Sequence, residues 1–94
     1  MRPSEALARN RDKVLEIIAR YPVTNPRVFG SVARGEDVEG SDIDILVDQN
    51  GPLSFFDIFE LEDELATVLA CPVEVGTKLK PYAAAVAAQD IRPL

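Results

Sequence analysis

Helices alternating with short strands predict an α/β chain in which a small sheet is covered by helices. Three observations carry that reading. Apolar residues recur at helical spacing in two long stretches. Three short β-prone runs lie between or after them: Arg27 to Phe29, Ile43 to Val47, and Val73 to Val75. The chain has 94 residues, enough for one domain spanning 1–94 and not for two.

In chain order, Ser4 is placed to cap a first helix, with Glu5 in its first turn, where the helix dipole favours an anion. Leu7, Val14, Leu15, Ile18 and Tyr21 form its apolar side, and Pro22 stops it near Tyr21. Val23 to Pro26 reads as a loop. Arg27-Val28-Phe29 is a strand ending at Gly30, and Ser31 to Arg34 is one turn of helix ended by Gly35. Glu36 to Ser41 is a polar loop, Ile43 to Val47 a second strand, and residues 49–53 a turn.

Ser54 then caps a third helix, with Asp57 three residues on as a capping box. Phe55, Ile58, Phe59, Leu61, Leu65, Val68 and Leu69 form its apolar stripe, and Glu60, Glu62, Asp63 and Glu64 read as its solvated face. Pro72 follows it. Val73-Glu74-Val75 is a third strand ended by Gly76, and Pro81 opens an alanine-rich last helix from Tyr82 to about Gln89.

Composition narrows the function classes. Hydrophobic residues make up 47% and charged residues 28%, ordinary for a soluble globular chain. A domain this short buries only about 60% of its unfolded surface, so a partner or ligand is expected to add stability. No apolar run approaches the roughly 20 residues of a membrane span, and the first ten residues are too polar for a signal peptide. Cys71 is the only cysteine, which rules out an internal disulfide and suits a reducing cytoplasm. Histidine is absent, which removes histidine acid–base chemistry and leaves carboxylates as the metal ligands to expect.

The net charge of −6 is uneven. Residues 1–34 hold seven Lys/Arg against three Asp/Glu, whereas residues 36–77 hold twelve Asp/Glu and no Lys/Arg. The acidic middle would repel a nucleic-acid backbone, so direct nucleic-acid binding is not expected. It fits metal binding, or a surface facing a basic partner.

The chemistry concentrates in Val28 to Val47, VFGSVARGEDVEGSDIDILV. Gly30-Ser31 lies where a strand turns into a helix, a place that can present free backbone N–H groups to phosphate. A plain turn is the alternative. Asp42 and Asp44, two apart beside an apolar run, point to one face while Ile43, Ile45 and Val47 point to the other. Neighbouring carboxylates repel unless a cation neutralises them, and magnesium is the cation that joins carboxylates to phosphates. Asp48 shares that face but lies at the strand end, where an exposed turn residue is the reading. Glu74, between Val73 and Val75, also faces away from the apolar side. If its strand lies beside that of Asp44, three carboxylates converge and two metals can clamp a reacting phosphate; an exposed residue on a half-wet strand is the alternative.

Gly30-Ser31, Ala33-Arg34-Gly35 and Ser41-Asp42-Ile43-Asp44 together resemble the signature of the DNA polymerase β-type nucleotidyltransferase superfamily: Gly-Ser, ten residues, then Asp-x-Asp. The specific form is similar to the minimal nucleotidyltransferase (MNT) domains of prokaryotes. The likeness extends through PLSFFDIFELEDEL and VEVGTKLKP to nearly the whole chain. It implies an α/β (α+β) nucleotidyltransferase fold, a small mixed sheet flanked by helices. It implies Gly30 and Ser31 at the triphosphate of ATP, Asp42 and Asp44 as Mg2+ ligands, and Arg34 as a phosphate ligand or a structural surface arginine. Glu74 stands where the family usually has a third aspartate, as metal ligand or base, with two ions expected.

MNT proteins of this length resemble antitoxins encoded beside a HEPN-type ribonuclease toxin. The likeness therefore implies transfer of AMP from ATP to a tyrosine hydroxyl of a cognate toxin, in a hetero-oligomer. A catalytically weak antitoxin that neutralises its partner by binding alone is the alternative. An enzyme acting on a small molecule would need a substrate-binding domain from another chain.

Overall fold

The computed structural model describes residues 1–77 and 91–94. The elements run α1 (Pro3–Arg9), α2 (Arg11–Ile18), β1 (Val23–Phe29), α3 (Ser31–Arg34), β2 (Ile43–Gln49), α4 (Phe55–Leu69), β3 (Val73–Gly76) and β4 (Arg92–Pro93). The strands form one sheet in the order β3-β2-β1-β4. β1 is antiparallel to β2 and β4, whereas β2 and β3 are parallel. The sheet is therefore mixed, as expected. The helix expected over Tyr82 to Gln89, with Pro81 at its start, lies outside the described residues.

The expected first helix is two helices. Asn10 leaves helical geometry at φ −113°, ψ 16°. Its backbone N–H and its side-chain amide both donate to the Ala6 carbonyl, at 3.1 and 2.9 Å. A short amide side chain competing for a backbone carbonyl ends α1 there, and α2 restarts with Val14 N–H on the Asn10 carbonyl. The cap also differs. Arg2 precedes the first turn, Pro3 occupies the first helical position, and the Arg2 N–H donates to Glu5 Oε1.

Strand β1 begins at Val23, so the expected loop over 23–26 is strand. Its register jumps from Thr24 opposite Asp48 to Arg27 opposite Leu46, three steps against two. One extra residue makes a bulge, with Asn25 at φ +53°. Asparagine tolerates that conformation, and proline is admitted at a bulge because its missing N–H is not needed for the ladder. β2 likewise runs two residues further than expected, to Gln49.

The core lies on one face of the sheet. Ile43, Ile45 and Val47 of β2, Val73 and Val75 of β3, and Val28 of β1 meet Ala6 and Leu7 of α1, Val14, Ile17 and Ile18 of α2, and Ile58, Leu61, Leu65 and Leu69 of α4. Helix α4 starts as its sequence dictates. Asp57 N–H donates to Ser54 Oγ at 3.2 Å, and Ser54 N–H donates to Asp57 Oδ2 at 2.9 Å. Its apolar stripe is narrower than expected, because Phe55 and Phe59 stay about half exposed. Its acidic face is also less solvated than expected. Glu62 Oε2 accepts the Val75 N–H at 2.8 Å, and Glu64 takes the Tyr21 hydroxyl at 2.7 Å and Arg20 at 3.2 Å. Phe29 is buried but does not join the main core cluster.

Candidate nucleotide site

The second half of β1, the start of β2 and the whole of β3 place the expected site residues on the sheet face opposite the core. Phe29, just before Gly30, is the antiparallel partner of Asp44, and Asp44 is the parallel partner of Glu74. Register alone thus sets the Gly-Ser turn, the second aspartate and the glutamate side by side across three strands.

Gly30 has φ +76° and ψ −151°, a conformation that is essentially glycine-only. A Cβ built there would stand 2.7 Å from Asp44 Oδ2. The glycine is needed twice over, for its backbone angles and because the Asp44 carboxylate fills the space a side chain would take. Beyond it, Arg34 N–H closes on the Gly30 carbonyl at 3.1 Å, and Glu36 N–H reaches the Ser31 carbonyl at 2.9 Å. Gly35, left-handed at φ +72°, ends the turn as expected. The first amides of such a turn have no carbonyl behind them in the helix and point outward, beside half-buried Ser31.

Asp42 is exposed and immediately precedes β2, Ile43 is buried, and Asp44 is half-buried. The expected alternation therefore holds, although Asp42 stands just outside the strand. Ile43 N–H donates to the Pro72 carbonyl at 2.9 Å, tying this point to the start of β3. β3 does lie beside β2, so Glu74 and Asp44 are brought together. A three-ligand cluster is not formed: among the described residues, no group of three Asp, Glu, Cys or His side chains is placed to hold one ion. Asp44 and Glu74, brought together by register, offer the oxygen donors that suit a magnesium ion, which takes one or two carboxylates and completes its shell with water and phosphate oxygens.

Arg34 is a surface residue whose Nε lies 3.6 Å from Glu36 Oε1. Asp48 is exposed at the far end of β2, as expected, and also receives Arg27 at 3.0 Å and Asn25 at 3.1 Å. Burial, together with the charge of nearby Asp42, pushes the Cys71 thiol up. The shift favours the thiol over the more reactive thiolate.

Asp37 was not legible. It sits in the loop between the Gly-Ser turn and Asp42, yet is only 2% exposed. Its Oδ2 accepts the Ser4 N–H at 2.8 Å. Burial raises its carboxyl, but the Ser4 hydrogen bonds and the Arg2 charge outweigh it and hold the group below the ordinary aspartate value. The loop is thereby pinned to the start of α1. Val38 N–H and Ser41 Oγ, 3.0 Å apart, close its other end. No local pattern announces a carboxylate whose partner is 33 residues away.

The sequence pattern of the family described as "Nucleotidyltransferase domain" matches residues 11–90. A Methanocaldococcus jannaschii protein assigned as a protein adenylyltransferase is 43% identical over 63 residues, 67% of this chain and 64% of that protein. The chain thus aligns with somewhat less than two thirds of that relative. A solved structure assigned as a minimal nucleotidyltransferase superposes with TM-score 0.80 at 32% identity, covering 97% of this chain and 95% of the other. The MNT antitoxin solved in complex with a tri-AMPylated HEPN toxin of Shewanella oneidensis shares the fold at TM-score 0.65 and 21% identity, over 92% of this chain and 69% of that one. With the Gly-Ser turn, the Asp-x-Asp strand and the mixed sheet already in place, the conclusion is direct: the chain belongs to the nucleotidyltransferase domain family and has the fold of its minimal members.

Proposed function

We propose that this domain transfers AMP from ATP to a tyrosine hydroxyl of a HEPN-type toxin and so neutralises it in the cytoplasm. The observation that carries the reading is the seating of Asp44 against Gly30 with Glu74 opposite. That arrangement joins a phosphate-approaching turn to two carboxylates. The M. jannaschii relative's assignment and the S. oneidensis complex with its AMP-bearing toxin support the choice of nucleotide fragment and partner.

In this reading Gly30 and Ser31 cradle the triphosphate, and Arg34 meets its outer oxygens. Asp42, Asp44 and Glu74 would hold two magnesium ions, which supply charge neutralisation at the phosphates when bound. The acceptor oxygen bonds to the α-phosphorus as the bond from that phosphorus to the α–β bridging oxygen breaks, and pyrophosphate leaves. Glu74 takes the hydroxyl proton.

Intact mass of the toxin after incubation with this chain, Mg2+ and ATP tests it. Increments of AMP are expected, and none with Asp42→Asn/Asp44→Asn. An unchanged mass with the wild-type chain would overturn the reading. Neutralisation by the double variant would leave the chain as an occluding antitoxin.

A further inference from the structure

Helix α4 presents three phenylalanines that the core does not take. Phe55, Phe56 and Phe59 are 47, 82 and 48% exposed. Phe59 lies three positions from Phe56 and four from Phe55, so all three share one side of the helix. The Phe55 and Phe59 rings stand 6.3 Å apart, tilted by 31°. Exposed aromatic clusters of this kind mark interaction surfaces, since phenyl rings carry much of the energy of protein–protein contacts once buried.

The surroundings of the patch select its occupant. Glu60 and Asp63 are exposed one turn along the same side, and neither is in an ion pair among the described residues. No Lys or Arg occurs between residues 36 and 77. An occupant must therefore bring an apolar groove edged with positive charge. The same face of a second copy has no Lys or Arg between residues 36 and 77 to set against these carboxylates. An anionic membrane would be repelled for the same reason.

The patch also stands apart from the nucleotide site. The C-terminal end of α4 leads through Cys71 and Pro72 to the start of β2, where Asp42 and Asp44 lie. Phe56 is about 20 Å up the helix from that end at 1.5 Å per residue. Contacts made there hold a partner without touching the reacting atoms.

We propose that Phe55, Phe56 and Phe59, edged by Glu60 and Asp63, form the docking surface for a protein partner with an apolar groove rimmed by Lys and Arg. Resting on the reading above, that partner is the acceptor toxin. Docking on α4 sets affinity, and the β1–β2–β3 face does the chemistry.

The test measures binding of the purified HEPN-type toxin, and AMP transfer to it, for the wild-type chain, Phe56→Glu/Phe59→Glu, Phe56→Ala and Glu60→Lys/Asp63→Lys. Affinity for a non-hydrolysable ATP analogue reports the fold and is expected unchanged. The toxin Kd is expected to rise at least thirtyfold in the first variant and tenfold in the second. The charge variant should weaken binding about tenfold and lose its salt dependence. KM for the toxin rises while kcat at saturation is kept. A toxin Kd unchanged by the phenylalanine substitutions overturns the docking surface. So does absence of binding by the wild-type chain, or a dimer of this chain alone that dissociates on Phe56→Ala. Weakened binding with no AMP transfer by the wild-type chain leaves the docking surface standing and overturns the proposed activity instead.

Discussion

The carboxylate of Asp44 occupies the space that a side chain on residue 30 would need, with Oδ2 2.7 Å from where the Gly30 Cβ would be. Two sequence features eleven or more residues apart, a glycine turn and a paired aspartate, are thus one structural unit. The antiparallel pairing of Phe29 with Asp44 is what joins them.

Gly30→Ala tests that unit. Alanine is strained at φ +76°, ψ −151°, at a cost of roughly 1–3 kcal/mol, and its methyl must also displace the Asp44 carboxylate. The midpoint of chemical denaturation should fall by a corresponding amount, and affinity for Mg–ATP should drop beyond what the lost stability explains. An alanine variant with wild-type nucleotide affinity would show that Asp44 can move aside freely.

The carboxylates should separate stability from activity. Asp44 and Glu74 are register partners, and like charges side by side oppose folding when no cation lies between them. Asp44→Asn is therefore expected to leave thermal stability equal or slightly higher in chelator, while AMP transfer falls by roughly 10²–10³-fold. Glu74→Gln should reduce transfer by about 10²-fold, the size of a lost general base. Glu74→Asp should retain more activity than Glu74→Gln. Paired melting curves with and without Mg2+ check the stability half, and rates under saturating ATP check the other.

Features read well from sequence are those whose partners are near in sequence. Ser54 and Asp57 are three apart and form their capping box as expected; Gly35 and the alternating Ile43, Ile45 and Val47 follow from local backbone preferences. The Gly-Ser and Asp-x-Asp spacing is a pattern of the same sort. The parts not legible depend on distant partners. Asp37 finds Ser4 across 33 residues, and Glu62 finds the Val75 amide across 13. Periodicity put Phe55 and Phe59 in the α4 stripe, because spacing defines a helix side without saying how much of it a neighbour covers. β4, two residues long against β1, is too short to carry a pattern at all.

Glu62 holds the outer edge of the sheet next to the site. Among the described residues β3 pairs with β2 alone, and its Val75 N–H donates to Glu62 Oε2 at 2.8 Å. Glu62→Ala should cost roughly 1.5–3 kcal/mol, the range of hydrogen bonds to charged acceptors. Amide exchange should accelerate at Val75 more than at Val28 in the sheet interior. Transfer should also fall, because Glu74 precedes Val75 and loses its fixed strand.

The Tyr21 hydroxyl sets an alkaline limit. Burial, the hydrogen bond to Glu64 and the charges of Glu64 and Glu60 raise its titration well above the usual tyrosine value, against a smaller opposite effect from Arg20. A raised acid contributes fully below the unfolded value of about 10 and loses that contribution as pH climbs above it. Stability of the wild-type chain should decline above pH 10, and Tyr21→Phe should flatten that decline while costing about 1 kcal/mol at neutral pH.

Asp37 sets the acid limit by the opposite sign. Its carboxyl is held below the ordinary aspartate value of 3.8, because the Ser4 hydrogen bonds and Arg2 favour the charged form more than burial disfavours it. A depressed acid contributes above the unfolded pKa, and the contribution drains away as pH falls through the folded one. Between pH 7 and 5 the protonation of Asp37 should not change, so any loss of stability there must come from elsewhere. Below about pH 4 the unfolded chain binds the proton more readily than the folded chain, and the wild-type protein should lose stability with each further step. Asp37→Ala removes the acceptor and leaves the Ser4 amide without it, so it should destabilise at pH 7 and show a shallower acid limb. The loop it anchors leads from Ser31 to Asp42. If the anchoring matters for function, Asp37→Ala weakens Mg–ATP binding even at pH 7, under conditions where denaturation curves show the variant fully folded. Nucleotide affinity equal to wild type under those conditions would confine Asp37 to stability alone.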